Sequence, residues 1–115
     1  MTGWHQDSVL EFRFDVEDTL STYQILINIR HTENYSYQNM WLFANGDTIE
    51  FYLADDRGRW LGNGHNGYIE MPVLYEATYL FERSGEQTMR IQHGMRDSLL
   101  SGISDVGVKV VKNKE

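Results

Sequence analysis

The stretch Val9–Val16 reads Val-Leu-Glu-Phe-Arg-Phe-Asp-Val and alternates apolar with charged side chains along most of its length. Successive side chains of a β-strand point to opposite faces, so Leu10, Phe12 and Phe14 share one face and the charged residues share the other. The pattern therefore predicts a strand with one buried face and one exposed face. Residues 23–30 repeat it, with Tyr23 and three isoleucines alternating with mostly polar residues.

The next predicted strand, Asn39–Ala44, is apolar on both faces. Trp41 and Phe43 alternate with three other apolar residues. Such a strand is either central and covered on both sides, or it contributes one face to an interface. For Trp41 we expect the first alternative, a structural role as a large aromatic anchor in the core.

Turn residues divide the rest of the chain into further short strands. Asn45-Gly46 predicts a hairpin returning along residues 48–54, because both turn positions favour positive φ. Residues 83–85 (Arg-Ser-Gly) predict a second hairpin, between residues 77–82 and 86–93. In the predicted strand at residues 68–74, Pro72 requires an edge or a bulge, because proline cannot donate to the ladder.

The segment from Gly94 to Ile103 breaks the β pattern, since apolar residues recur there every four positions. This spacing predicts a short helical turn near residues 95–101. The whole chain then has about seven or eight strands, which is typical of an antiparallel β-sandwich of immunoglobulin-like or jelly-roll-like form. We expect an all-β protein with a single sandwich domain over residues 1–115.

Composition excludes several functions. Seventeen acidic against ten basic residues give a net charge of −7, the opposite of what binding to nucleic acid requires. The chain has no cysteine, which excludes a disulfide framework, a zinc–thiolate site and a thiol nucleophile. No apolar run approaches the length of a membrane span, and the sequence does not begin with a signal peptide.

No catalytic or metal-binding constellation is evident. The four histidines, His5, His31, His65 and His93, lack metal-ligand spacing, and we expect them at the surface or at strand edges. Residues 55–59 (Asp-Asp-Arg-Gly-Arg) predict a plain turn, because arginines stand where a calcium loop needs oxygen ligands. The sequence therefore predicts no enzyme activity, no metal and no cofactor.

Five unusual strings, in their order and spacing, resemble one known family. They are Asp7–Leu10, Tyr35–Phe43, Leu53–Gly62, Gln92–Arg96 and Gly102–Gly107. Together they are similar to the gliding motility-associated lipoprotein GldH family of Bacteroidetes, and the resemblance runs nearly end to end.

The resemblance implies a lipid-anchored protein of the cell envelope, exposed to the periplasm. Its partners would be other envelope proteins of the gliding-motility and secretion machinery. The signal peptide and the lipidated cysteine of the family are absent from this sequence, which we expect to be the soluble part of such a lipoprotein. Contact with a membrane would then occur only through an N-terminal lipid anchor that this chain lacks.

Candidate binding residues lie where aromatic side chains interrupt polar segments. Tyr35 and Tyr37 lie in a polar loop that enters the doubly apolar strand, and exposed tyrosines there suit a protein contact. We predict a protein-binding surface around Tyr35, Tyr37, Trp60 and Met95. The alternative is a carbohydrate-binding module, since exposed aromatic side chains of β-sandwiches also stack on sugars. A flat row of tryptophan and tyrosine would favour sugar, and a curved, mixed apolar patch would favour protein.

A second structural prediction concerns the two charged residues that bracket the non-β segment. Arg96 and Asp105 have opposite charges and lie on either side of it. We expect them to form an ion pair that fixes this segment, with a large cost of truncating one partner if the pair is buried.

Overall fold

The computed structural model describes residues 3–114, and within that range the chain forms ten β-strands and no helix. The strands are β1 (Trp4–His5), β2 (Leu10–Val16), β3 (Tyr23–His31), β4 (Asn39–Ala44), β5 (Asp47–Tyr52), β6 (Asn63–His65), β7 (Tyr68–Tyr79), β8 (Gly85–His93), β9 (Leu99–Leu100) and β10 (Ile103–Lys112). No helix capable of spanning a membrane is therefore found in residues 3–114.

Eight of these strands form two four-stranded antiparallel sheets. Sheet I has the order β10-β3-β7-β6, and sheet II has the order β2-β8-β4-β5. The remaining pair, β1 and β9, forms a small two-stranded sheet. Sheets I and II share one hydrophobic core, so the predicted all-β antiparallel sandwich is confirmed.

The core consists of the inward-facing residues of both sheets. Ile27 and Ile29 on β3, Met40 and Leu42 on β4, and Ile91 on β8 are each completely buried. Burial of one such side chain contributes about 1.5–3 kcal/mol. The alternation seen in the sequence is thus the pattern that closes the two layers.

Two Asn-Gly pairs form the tight hairpins. Asn45 and Gly46 have φ values of 47° and 87°, and Ala44 pairs with Asp47 across the turn, so the predicted hairpin is confirmed. Residues 66–67 repeat the dipeptide with φ values of 53° and 82°, and they join β6 to β7. The same signal was present there in the sequence, but that loop was not predicted to be a hairpin.

The predicted hairpin at residues 83–85 is wrong. Residues 77–79 end β7 in sheet I, whereas β8 lies in sheet II, so the connection crosses between the layers. Its Phe81 is buried and makes edge contacts with the rings of Phe14 and Tyr23, at 5.8 and 5.3 Å between centroids. This segment therefore fills space between the two sheets and does not pair with β8.

The predicted helical turn near residues 95–101 is also wrong. Residues 94–98 form neither helix nor strand and lead into β9, where Leu100 pairs with Trp4 of β1. Trp4 and Leu100 are each 1% exposed. The two leucines of this segment belong to the β1–β9 pair, which covers part of the core.

Pro72 lies where only one strand adjoins β7. It pairs with Asn28 of β3, and β6 on the other side reaches only as far as Glu70. The missing N–H of proline therefore costs no ladder hydrogen bond, and the predicted edge position is confirmed.

Two histidines are buried, contrary to the surface positions expected. His31 is 0% and His93 is 2% exposed. The Met95 N–H donates to Nδ1 of His93 at 3.2 Å, and Nε2 lies 3.0 Å from the carbonyl oxygen of Trp4. Because Nδ1 accepts a hydrogen bond, the proton of the neutral ring is on Nε2. Burial is the main cause that lowers the pKa of both histidines.

We expect the free energy of unfolding to fall as the pH drops through the ordinary histidine pKa of 6.5. A lowered pKa in the folded state means that the unfolded chain binds more protons in this range, so stability is present at higher pH and lost on acidification. The loss is at most about 1.4 kcal/mol per pH unit for each histidine. Urea unfolding of His93→Gln should show a smaller slope against pH than the wild-type protein. Equal slopes in the two proteins would contradict the assignment.

A second prediction concerns two glycines with similar backbone angles. Gly58 and Gly102 have φ values of 79° and 86°, but a Cβ on Gly58 would meet nothing within 4 Å, whereas one on Gly102 would lie 2.4 Å from the backbone nitrogen of Tyr35. We expect Gly58→Ala to cost about 1 kcal/mol from backbone strain alone. Gly102→Ala should cost about 3 kcal/mol or more, because the backbone must also move. Urea denaturation of both variants measures the difference, and equal losses would refute it.

Candidate functional site

The outer face of sheet II carries an apolar groove of about 410 Å³. Its lining residues come from β4 and the segment before it, from β5 and from the segment after β8. We call it the Trp41 groove, and it is lined by Tyr37, Asn39, Trp41, Phe43, Thr48, Gly94, Met95 and Arg96.

The two main aromatic side chains of the groove follow from the register of β4. The residues that alternate with them, among them Met40 and Leu42, are completely buried, so Trp41 and Phe43 must face outward. They are 40% and 45% exposed. The expected role of Trp41 as a core anchor is therefore wrong, and the interface alternative for this strand fits its geometry.

The floor of the groove is the backbone that follows β8. The Gly94 N–H donates to the carbonyl oxygen of Trp41 at 2.7 Å, and the Trp41 N–H lies 3.3 Å from the sulfur of Met95. A Cβ added to Gly94 would lie only 3.1 Å from the ring of Phe43. The glycine thus lets the Phe43 ring lie directly over the chain, and Met95 completes the apolar floor.

One wall of the groove is fixed by a polar contact. The hydroxyl of Tyr37 donates to Oδ1 of Asp97 at 2.7 Å, and this hydrogen bond to the carboxylate raises the pKa of Tyr37. Tyr37 remains 39% exposed. Arg96, also exposed, is the charged residue among the groove's lining. The site therefore combines an apolar floor with a polar and cationic rim.

Two of the four predicted binding residues, Tyr37 and Met95, line the groove together, but the other two do not. Tyr35 is only 4% exposed, and its hydroxyl donates to the carbonyl oxygen of Asn39 at 2.6 Å. The prediction of an exposed Tyr35 is wrong, because its loop folds over the end of the sandwich. Trp60 is half-buried with its ring 4.7 Å from that of His31.

The predicted ion pair between Arg96 and Asp105 is wrong. Asp105 lies on β10 opposite Arg30 of β3, and its carboxylate is 3.6 Å from a guanidinium nitrogen of Arg30. Both partners are substantially exposed, so this pair contributes little to stability. Arg96 is instead at the rim of the Trp41 groove.

Chemically, the groove is suited to binding. Arg96 is the one residue with a charged side chain among the described residues that line it. In residues 3–114 no group of three or more histidine, aspartate or glutamate side chains is placed to hold a metal ion.

The predicted turn at Asp55 is confirmed, since its carboxylate accepts hydrogen bonds from the backbone N–H groups of Arg57 and Arg59 at 3.0 and 2.9 Å.

Sequence reasoning did not name Phe43 as a binding residue, although it is among the more exposed aromatic side chains. The signal for it was the strand that is apolar on both faces. Alternation identifies two faces but does not say which one is inside, and here the face with the larger rings is outside.

Comparison with known proteins identifies the family. Residues 1–110 match the model of the family described as GldH lipoprotein. The gliding motility lipoprotein GldH homolog of Christiangramia forsetii is 34% identical, over 96% of this chain and 78% of that protein. The gliding motility lipoprotein GldH of Flavobacterium johnsoniae is 30% identical, over 95% and 77% respectively.

No solved structure matches the chain significantly. The family match covers nearly the whole chain, and both relatives align over most of their own length. The resemblance seen in the sequence is thus confirmed, and this chain belongs to the GldH lipoprotein family.

Proposed function

We propose that this protein is a non-catalytic component of the gliding-motility machinery of the cell envelope, and that it acts by binding another envelope protein through the Trp41 groove. The observation that carries the proposal is the outward exposure of Trp41 and Phe43 on a strand whose other face is fully buried. Large apolar side chains exposed side by side mark interaction sites more often than chance exposure does. The names of the two relatives supply the connection with motility.

The composition of the groove supports a protein partner over a sugar. Sugar-binding platforms present flat rows of aromatic rings, whereas the Trp41 groove combines Trp41 and Phe43 with the thioether of Met95. Methionine and aromatic residues are enriched in protein interfaces, and the flexible thioether adapts to irregular side chains. Arg96 at the rim adds a residue type that commonly contributes to binding energy.

The remaining features of the proposal rest on the family and on the fold. We propose that residues 1–115 form one β-sandwich domain, the soluble part of a lipoprotein that is attached to the membrane by an N-terminal lipid and exposed to the periplasm. The family name describes a lipoprotein and no enzyme. The groove lacks the paired acid and base that most hydrolytic mechanisms require, which supports a role in binding.

The test replaces both outward-facing aromatic side chains in the full-length lipoprotein of the host. We expect Trp41→Ala/Phe43→Ala to accumulate at normal levels in the envelope, because the exposed rings contribute little to the core, and to lose most of the motility that the gene supports. Motility of single cells and spreading of colonies measure the effect, and immunoblots of membrane fractions measure the amount of protein.

The matched control is Leu74→Ala. Leu74 is 54% exposed on the outer face of sheet I. Its substitution therefore removes apolar surface on the opposite side of the sandwich, and we expect wild-type motility. A double variant that moves like the parent strain would overturn the role of the groove. A strain lacking the whole gene that still moves normally would overturn the assignment to motility.

A further inference from the structure

The first strand of sheet I, β10, is a long edge strand. It has ten residues, and in the described part of the chain its one strand neighbour is β3. Pairing with β3 is regular from Asp105 to Lys112, with a register shift only before Asp105. The other side of β10 therefore presents a straight row of backbone groups that is able to pair with another strand.

The opposite edge of sheet I is protected, and β10 is not protected in the same way. β6 covers the first residues of β7, and beyond it Pro72 removes a backbone donor. β10 contains no proline, and Val106 and Val108 on its inner face remain only half-buried. An additional strand beside β10 would cover these two valines and extend the core.

The charges on β10 favour a second copy of the same strand. On its outer face Asp105, Gly107 and Lys109 follow one another at every second position. When two copies pair antiparallel about a two-fold axis perpendicular to the sheet, residues equally distant from the axis oppose each other on the same face. An axis at Gly107 places Asp105 of each copy opposite Lys109 of the other.

Other registers lack this complementarity. An axis at Asp105 sets the two copies of Asp105 opposite each other, and an axis at Lys109 does the same for Lys109. Like charges directly opposite each other are destabilising. Axes at 106 or 108 leave both charges opposite uncharged residues. Among these registers, the one centred on Gly107 sets Asp105 and Lys109 against each other, and it also brings Val106 of one copy beside Val108 of the other on the inner face.

We propose that two copies of this protein associate through their β10 strands, antiparallel and centred on Gly107, so that the two copies of sheet I form one continuous eight-stranded sheet. Two chains of net charge −7 repel each other, and the two Asp105–Lys109 pairs across this edge oppose that repulsion. The occupant is a second copy of this chain, and the interaction is independent of the Trp41 groove.

The absence of cysteine from the chain allows a direct test of the register. In Gly107→Cys the two thiols of a dimer lie opposite each other, and the new side chain is tolerated because a Cβ there meets nothing within 4 Å. We expect the purified variant, oxidised with oxidised glutathione, to form a disulfide-linked dimer on a non-reducing gel. Val111→Cys, on the same face of the same strand, is the matched control and should remain largely monomeric, because its opposite is residue 103 of the other copy. Equal yields of dimer from the two variants would overturn the proposed register.

Exchange of the charges tests the same interface independently. In the Gly107→Cys background, we expect Lys109→Asp to slow cross-linking severalfold, because two aspartates then face each other at both ends of the pair. Addition of Asp105→Lys restores opposite charges and should return the rate towards that of Gly107→Cys alone. Circular dichroism melts confirm that each variant is folded, since Asp105 also pairs with Arg30. Failure of the double exchange to recover the rate in a folded protein would refute the proposal.

Discussion

The burial of one face of β4 is the constraint that determines the surface of this protein. Met40, Leu42 and Ala44 are completely buried, and β4 is held between β5 and β8 by pairing on both sides. A slip by one residue would place Trp41 and Phe43 in the core and expose the three smaller residues. The core has been filled by residues of both sheets, so it offers no room for that exchange. The position of the aromatic groove is thus a consequence of core packing.

His93 connects the groove to the sealed end of the sandwich. One ring nitrogen accepts from the backbone of Met95, at the floor of the groove, and the other lies at hydrogen-bond distance from the backbone of Trp4 in β1. The Trp4 ring packs edge-on against the same imidazole at 5.5 Å. A neutral histidine can satisfy a donor and an acceptor at once, which apolar residues of similar size cannot do. These two backbone contacts therefore offset the free-energy cost of burying the His93 ring, and they hold separate segments together.

Local patterns in the sequence predicted those features that depend on neighbours in the chain. Alternation or backbone chemistry accounts for the strands predicted at residues 9–16 and 23–30, for the turn at Asn45-Gly46, and for the edge or bulge that Pro72 requires. Of the four residues predicted to bind, Tyr37 and Met95 line one groove. The strands, the turn and the position of Pro72 share a cause, since each is fixed by the residue itself and by those within a few positions of it.

The failures come from contacts between residues distant in sequence. Residues 77–82 cross to the other layer and do not pair with β8. The reason is the packing of the Phe81 ring against the rings of Phe14 and Tyr23. Tyr35 lies in a polar segment of the sequence, yet its side chain is buried in the core. Asp105 finds Arg30 across a strand pair that no local pattern reveals. In each case the deciding partner lies on another strand or loop.

The two surfaces proposed for binding differ in their chemistry and in their position. The Trp41 groove offers side chains on the outer face of sheet II, whereas β10 offers backbone groups at one edge of sheet I. Side-chain surfaces select partners by shape, while a strand edge selects by register and by the order of charges. Because a neighbour added at β10 continues sheet I sideways, it leaves the face that carries Trp41 open. Self-association and binding of another protein are therefore compatible in one assembly, and a paired molecule would present two grooves.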